Sequence, residues 1–399
     1  MATENPIHET GTTASVAVVS LLVLLPAMPS EQQERVLSNL ADVNAALPGD
    51  GFLVASPDPL PADAYPSLSI TQAPQSNPTW TLTAADFTNA YHLASQSGAR
   101  AILILGSESA SLSPLALREL ADAVLAGNAD LAVPCYDLPP RAGLVNSAIL
   151  YPLTRALFAT RVRFPLGVDL GLSMRMAQRL ATAAQRFTAS NQAEAILWPV
   201  EEAQVAGFTI REIDVGRRDL PQPAEADFNA VLSRVTGSLF ADIDAKAAFW
   251  QRARLLPPPR SPVSRGVSSD SSADITPMLE SFRFAYTNLR EIWSLVLPPN
   301  SLLGLKRLTV TDSAAFRMPD NLWSRIVYDF LVAYRLRTIN RGHLLGALIP
   351  LYLAWVASHI NITASGIDGE RHIEAVAAAF EADKPYLVSR WRWPDRFNP

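Results

Sequence analysis

Along the first half of the chain, short apolar runs are each followed by a stretch of helical periodicity, and this pairing constrains the fold more than any other feature. Val16–Leu25 (VAVVSLLVLL) precedes a helical pattern from Glu31 to Leu47, which Pro48 and Gly49 stop. Phe52–Ser56 leads into a Pro-rich loop (SPDPLPADAYP), and a weak strand follows near Leu68–Thr71. Ser76 or Thr83 is placed to cap a helix running to about Ser97. Ala101–Leu105 (AILIL), a helix over Pro114–Ala126 and a strand at Ala129–Pro134 continue the pattern. Short runs rich in Val, Leu and Ile read as buried parallel strands, and the alternation predicts an α/β sandwich with a largely parallel sheet. Ligands in such sheets sit beyond the carboxyl ends of the strands. That directs attention to the loop Ser56–Pro61, with Asp58, and to Gly106–Ser111, with Ser107 and Glu108.

From Asn146 the pattern changes to a helix through Phe158, an irregular segment to Ser173 and a helix to about Ala189. A strand near Thr209–Val215 and a helix from about Phe228 to Leu255 follow. The segment LPPPRSPVSRGVSSDSSADITP is dense in Pro and Ser and reads as a linker or loop. Beyond it the chain is helical, most apolar at Trp323–Arg337 and Leu344–Ile360. The expected organisation is a disordered N-terminus over 1–13, an α/β domain over 14–255, a linker over 256–276 and a helical C-terminal subdomain over 277–399.

With 399 residues, 49% of them apolar and 18% charged, the chain can bury a substantial core. A net charge of -5 gives no basic footprint for nucleic acid. A lone Cys135 excludes an internal disulfide and a thiolate metal cluster, and fits a reducing, cytoplasmic setting. Val16–Leu25 is ten residues long, short of the roughly 20 that a spanning helix needs. Glu4 and Glu9 precede it without Lys or Arg, so neither a membrane span nor a signal peptide is expected.

The histidines His8, His92, His343, His359 and His372 show no HxxxH or HxH spacing. P-loop, GxGxxG and GxSxG motifs are absent, which removes support for a dinucleotide dehydrogenase or an α/β-hydrolase. A carboxylate at the tip of a central strand is costly to bury unless it binds something. Glu108 is therefore either a metal or nucleotide contact or a solvated loop residue.

The segment GLVNSAILYPLTRALFATRVRFPLGVDLGLS resembles the signature of GT-A glycosyltransferases related to glucosyl-3-phosphoglycerate synthase and mannosylglycerate synthase. The resemblance is carried by Gly143, Asn146, Tyr151-Pro152-Leu153-Thr154-Arg155-Ala156-Leu157, Arg161, Arg163, Pro165, Gly167 and Asp169. NLWSRIVYDFLVAYRL (321–336), HLLGALIPLYLAW (343–355) and KPYLVSRW (384–391) are similar to the same family's helical region. The resemblance implies a GT-A (Rossmann-like, nucleotide-diphospho-sugar transferase) sandwich over 14–255 with a helical C-terminal subdomain. It implies donor contacts from Asp58, Ser107, Glu108 and Arg218, and acceptor contacts from Asn146, Arg161, Arg163 and Gly167. Asp169 would orient a sugar hydroxyl or accept a proton; arginine forks suit a carboxylate or phosphate acceptor. The implied cofactor is a divalent cation, Mg²⁺ or Mn²⁺, with Glu108 as its ligand.

The departures fall on the donor side. The family's Asp-x-Asp stands here as Gly106-Ser107-Glu108, and an expected Asp is Ile196. A metal-binding histidine is missing from Val215-Gly216-Arg217-Arg218-Asp219-Leu220, and a Gly-Lys-Gly loop is unmatched near Asn77–Thr83. Two functions stay open. One is hexose transfer from a nucleotide-sugar donor to a small acidic acceptor of the glycerate or phosphoglycerate type, in a monomer or homodimer. The other is a catalytically degenerate pseudo-glycosyltransferase that acts as a binding or scaffold protein.

Overall fold

The computed structural model describes residues 19–47, 51–74, 80–139, 141–192, 194–220, 228–253 and 274–393. The expected disordered terminus at 1–13 and all but the end of the expected linker lie outside them, as do Ser76 and Asn77.

Strands β1 (Val19–Leu24), β2 (Gly51–Ser56), β3 (Ser69–Gln72), β4 (Ala101–Ile104), β5 (Leu131–Asp137), β6 (Leu170–Ser173) and β7 (Ile210–Arg217) form one seven-stranded sheet in the order β3-β2-β1-β4-β6-β5-β7. Helices α1 (Ser30–Ala46), α2 (Ala84–Ser97), α3 (Pro114–Leu125), α4 (Tyr151–Phe158), α5 (Met174–Thr188) and α6 (Pro199–Ala206) are interleaved with the strands. After β7 come α7 (Phe228–Ala245), α8 (Ala247–Trp250), α9 (Thr276–Asn288), α10 (Arg290–Val296) and α11 (Pro299–Thr309). Then follow α12 (Asp320–Leu336), α13 (Arg341–Ala364) and α14 (Gly369–Arg392). The architecture is thus an α/β sandwich with a helical C-terminal region.

The sheet is mixed: β6 runs antiparallel to both β4 and β5. This strand lies in the segment expected to be irregular, and four residues with a glycine at the second place carry no readable alternation. The helix expected over Phe228–Leu255 is broken between α7 and α8. Thr83 caps α2 through a reciprocal pair with Asp86, the capping-box device.

One apolar layer packs α1 and α3 on the sheet through Val36, Leu40, Leu117 and Leu120, and the other packs α2 and α5 through Phe87, Met176 and Leu180. A third cluster joins α4, α7 and the C-terminal helices around Trp198, Trp250, Trp293, Trp323 and Trp355. Helix α13 has the length and composition of a membrane span, yet 67% of its most apolar window is buried in this cluster.

Candidate functional site

The carboxyl ends of β2, β4 and β7 and the start of β6 bring Asp58, Ser107, Glu108, Asp169 and Arg218 to one end of the sheet's strands. Asp169 is wholly buried, and its Oδ1 accepts from the Gly106 amide at 3.0 Å. This contact is why residue 106 is glycine: a Cβ there would lie 2.9 Å from the Cβ of Val168. Tyr136, at the end of β5, donates its hydroxyl to Asp169 Oδ2 at 3.2 Å. Burial, then the neighbouring Asp169 charge, pushes the Tyr136 hydroxyl well above its ordinary pKa, so it remains a donor.

Arg218 faces Asp169 across the site, also with no side-chain exposure. Its Nε donates to Asp169 Oδ2 at 2.9 Å and its Nη2 to Asp169 Oδ1 at 3.2 Å. Nη2 also donates to the Ser107 carbonyl at 2.8 Å. Nη1 donates to Ser111 Oγ at 3.1 Å and to the carbonyls of Glu108 and Asp219. All the N–H donors of the fork are thereby used inside the protein. Burial alone would lower the Arg218 pKa, but the Asp169 charge and hydrogen bonds outweigh it and hold the guanidinium charged.

Glu108 adopts the left-handed conformation, φ 62°, and its Oε2 accepts from Gln32 Nε2 at 2.9 Å. Asp58 Oδ2 accepts from the Met28 amide at 3.2 Å and from Gln33 Nε2 at 3.4 Å. Two adjacent glutamines in the first turn of α1 thus tie the carboxylates together.

The residues implied as acceptor contacts are tied mainly to other parts of the chain. Asn146 Nδ2 donates to the Arg163 carbonyl at 2.9 Å. The Arg163 fork meets Glu370 of α14 in two parallel bonds, Nε to Oε2 and Nη2 to Oε1, both 3.0 Å. Nη2 also reaches Ser147 Oγ, and the guanidinium lies over the Tyr151 and Phe164 rings. Arg155 is held likewise by Glu374 and Glu381. Phe164 packs edge-on against Tyr136, which links this cluster to Asp169. Gly167 abuts Pro134 of β5, where a Cβ would sit 3.1 Å from the ring. Arg161 is exposed.

The sequence reading missed Gln32, Gln33, Tyr136 and Glu370, and reached Ser111 only as the end of the loop Gly106–Ser111. The two glutamines open the helix that follows β1 and could have been found from their place at its N-terminal turn. Glu370 lies some two hundred residues from Arg163, and nothing in local pattern pairs them.

Among the described residues no three His, Cys, Asp or Glu side chains are grouped to hold a metal ion. At the strand ends the residues do not fit a divalent cation. Asp169 is committed to Arg218, the Glu108 carboxylate is paired with Gln32, and a positive charge already lies between them. Ile196, where the resemblance implied an Asp, is buried in the helical core and itself forms an isolated bridge with Thr83.

No family model and no curated protein sequence matches the chain. Among solved structures it is similar to glucosyl-3-phosphoglycerate synthase from Mycobacterium tuberculosis in complex with phosphoglyceric acid. That likeness has 15% identity and a TM-score of 0.37, covering 56% of this chain and 79% of that one. The same enzyme in complex with Mn²⁺, uridine diphosphate and glucosyl-3-phosphoglycerate gives 16% identity and a TM-score of 0.36, covering 59% and 86%. A structure described as a mycobacterial protein gives 15% and 0.35, covering 56% and 74%. These values are too low to carry any residue's role from those proteins to this one.

Proposed function

We propose that this chain is a glycosyltransferase-like protein that has lost metal-assisted hexose transfer and serves as a binding or scaffold protein. The observation behind this reading is the Arg218 guanidinium, buried with its donors used by Asp169 and by loop oxygens. A leaving diphosphate needs positive charge free to receive it, and here that charge is already neutralised. Arg163 is occupied in part, because the Glu370 carboxylate takes its Nε and Nη2 while Nη1 stays buried without a hydrogen-bond partner. A cytoplasmic setting belongs to the same proposal and rests on the lone Cys135.

The test is calorimetric titration with UDP, GDP and their sugars, with and without Mg²⁺ or Mn²⁺. The reading expects no binding strengthened by metal and no sugar release or transfer. Micromolar, metal-dependent binding with turnover would restore the transferase. Metal-independent binding with turnover would mean that Arg218 leaves Asp169 to serve the diphosphate.

A further inference from the structure

The oxygens around Arg218 form a set with its own chemistry. Asp169 supplies both carboxylate oxygens, Ser107, Glu108 and Asp219 supply carbonyls, and Ser111 supplies a hydroxyl. Carboxylate, carbonyl and hydroxyl oxygens are the donor classes that hard cations take. They come from three loops, after β4, before β6 and after β7, which are joined in pairs by the Gly106 amide on Asp169 and the Asp219 amide on Ser111 Oγ and all together by Arg218. Asp169 is the one buried carboxylate among them. One negative charge balances a guanidinium and leaves a divalent ion half neutralised.

We propose that Arg218 is the resident cation of this site: a side chain tethered to β7 does the charge-balancing and loop-organising work that a free metal ion would otherwise do. The inference rests on reading these loops as a former donor site. It adds that the cage is built around a monovalent, planar cation and depends on one to stay assembled. Removing the side chain leaves Asp169 buried without a counter-charge and takes away the one group that touches all three loops, while the Gly106 amide on Asp169 and the Asp219 amide on Ser111 Oγ remain. A free guanidinium ion has the shape and charge to return to that space; Mg²⁺ and Mn²⁺ do not have the charge.

Two measurements test this without any nucleotide present, so the outcome is independent of the titrations above. In the wild-type protein, the Arg218 Nε–H resonance, assigned by its loss in Arg218→Lys, should exchange slowly and be unaffected by micromolar to millimolar Mn²⁺. Exchange as fast as that of exposed arginines, or paramagnetic broadening by micromolar Mn²⁺, would overturn the proposal. In Arg218→Gly, Tm should fall by several degrees, and low millimolar guanidinium chloride should raise it again in a saturable way while leaving the wild type unmoved. An unchanged Tm in the glycine variant, or a lowered one that guanidinium fails to raise, counts equally against it. If the glycine variant does not fold, the wild-type resonance still decides.

Discussion

Gly106 and Asp169 hold each other in place, since the amide of one is bonded to the carboxylate of the other across a gap with no room for a methyl group. Gly106→Ala should push the Val168–Asp169 segment away and cost about 1–3 kcal/mol, the usual range for overpacking, read from denaturant midpoints. A second residue, away from these strand ends, sets a pH dependence. Glu201 is fully buried on α6 and accepts from Thr154 Oγ1 at 2.6 Å, while its other oxygen has no partner. Burial, then the nearby Asp242 charge, pushes its carboxyl up to about 7. An unfolded glutamate ionises near its ordinary value, so this group's contribution is complete below that value and fades as pH rises towards 7. Each pH unit in that window is worth about 1.4 kcal/mol. Glu201→Gln, which imitates the protonated acid, should flatten the slope between pH 5 and 7; an equal slope in both proteins would refute the assignment. Asp169 and Arg218 were singled out from motif positions and now share one ion pair. Glu201 was not, because nothing in VEEAQ distinguishes a buried glutamate from its half-exposed neighbour.

At the scale of elements, α14 governs Arg155 of α4 and Arg163 of the segment that follows it. Glu370, Glu374 and Glu381 fall at helical spacing and meet Arg163 and Arg155, the latter only 2% exposed in its side chain. The glutamate stripe was readable as a polar face, and its partners were not, since pairing across the fold leaves no local trace. Glu374→Ala takes a carboxylate from Arg155 Nη1 and the Tyr151 hydroxyl, which keep their bond to each other at 2.9 Å. Breaking one partner of a buried pair typically costs about 3–5 kcal/mol, and the bonds left from Glu381 place this loss at the lower end. The same helix carries His372, whose Nδ1 lies 2.8 Å from Nδ1 of His359 on α13, while its Nε2 faces Asp320 of α12 at 3.3 Å. Burial, then His372 and Arg163, lower His359 to about 3. An unfolded histidine takes its proton near 6.5, so here stability is full above that value and drains away as pH falls towards 3. His359→Gln should therefore lose less stability than the wild type between pH 7 and 5, as urea midpoints at the two pH values would show. β6 escaped the sequence reading for a related reason: its place between β4 and β5 is dictated by its neighbours, not by its four residues.

For the molecule as a whole, the boundary drawn from composition falls where the chemistry of the chain changes, whereas the apolar core runs through both sides. Ile196 and Trp198 belong to the cluster of the C-terminal helices, while the interleaved Leu197 and Val200 belong to the layer beneath the sheet. Trp198 donates to Ser238 Oγ of α7 at 3.1 Å, and Trp323 of α12 donates to the Ala148 carbonyl at 2.8 Å. Both indoles are essentially buried. The alternation of facing at 196–200 makes this short segment a seam shared by the sheet layer and the helical region, so neither can lose its packing without exposing the other's. Far-UV circular dichroism, which weights the helices, and the amide NMR signals of β1 and β4, which follow the sheet, should accordingly give one coincident denaturant transition. Trp198→Ala should shift both curves together, by about 3–5 kcal/mol for a large buried aromatic. Two separated transitions, with the helical signal lost first and Trp198→Ala moving only one of them, would show instead that the helices form an independent unit merely resting on the sheet domain.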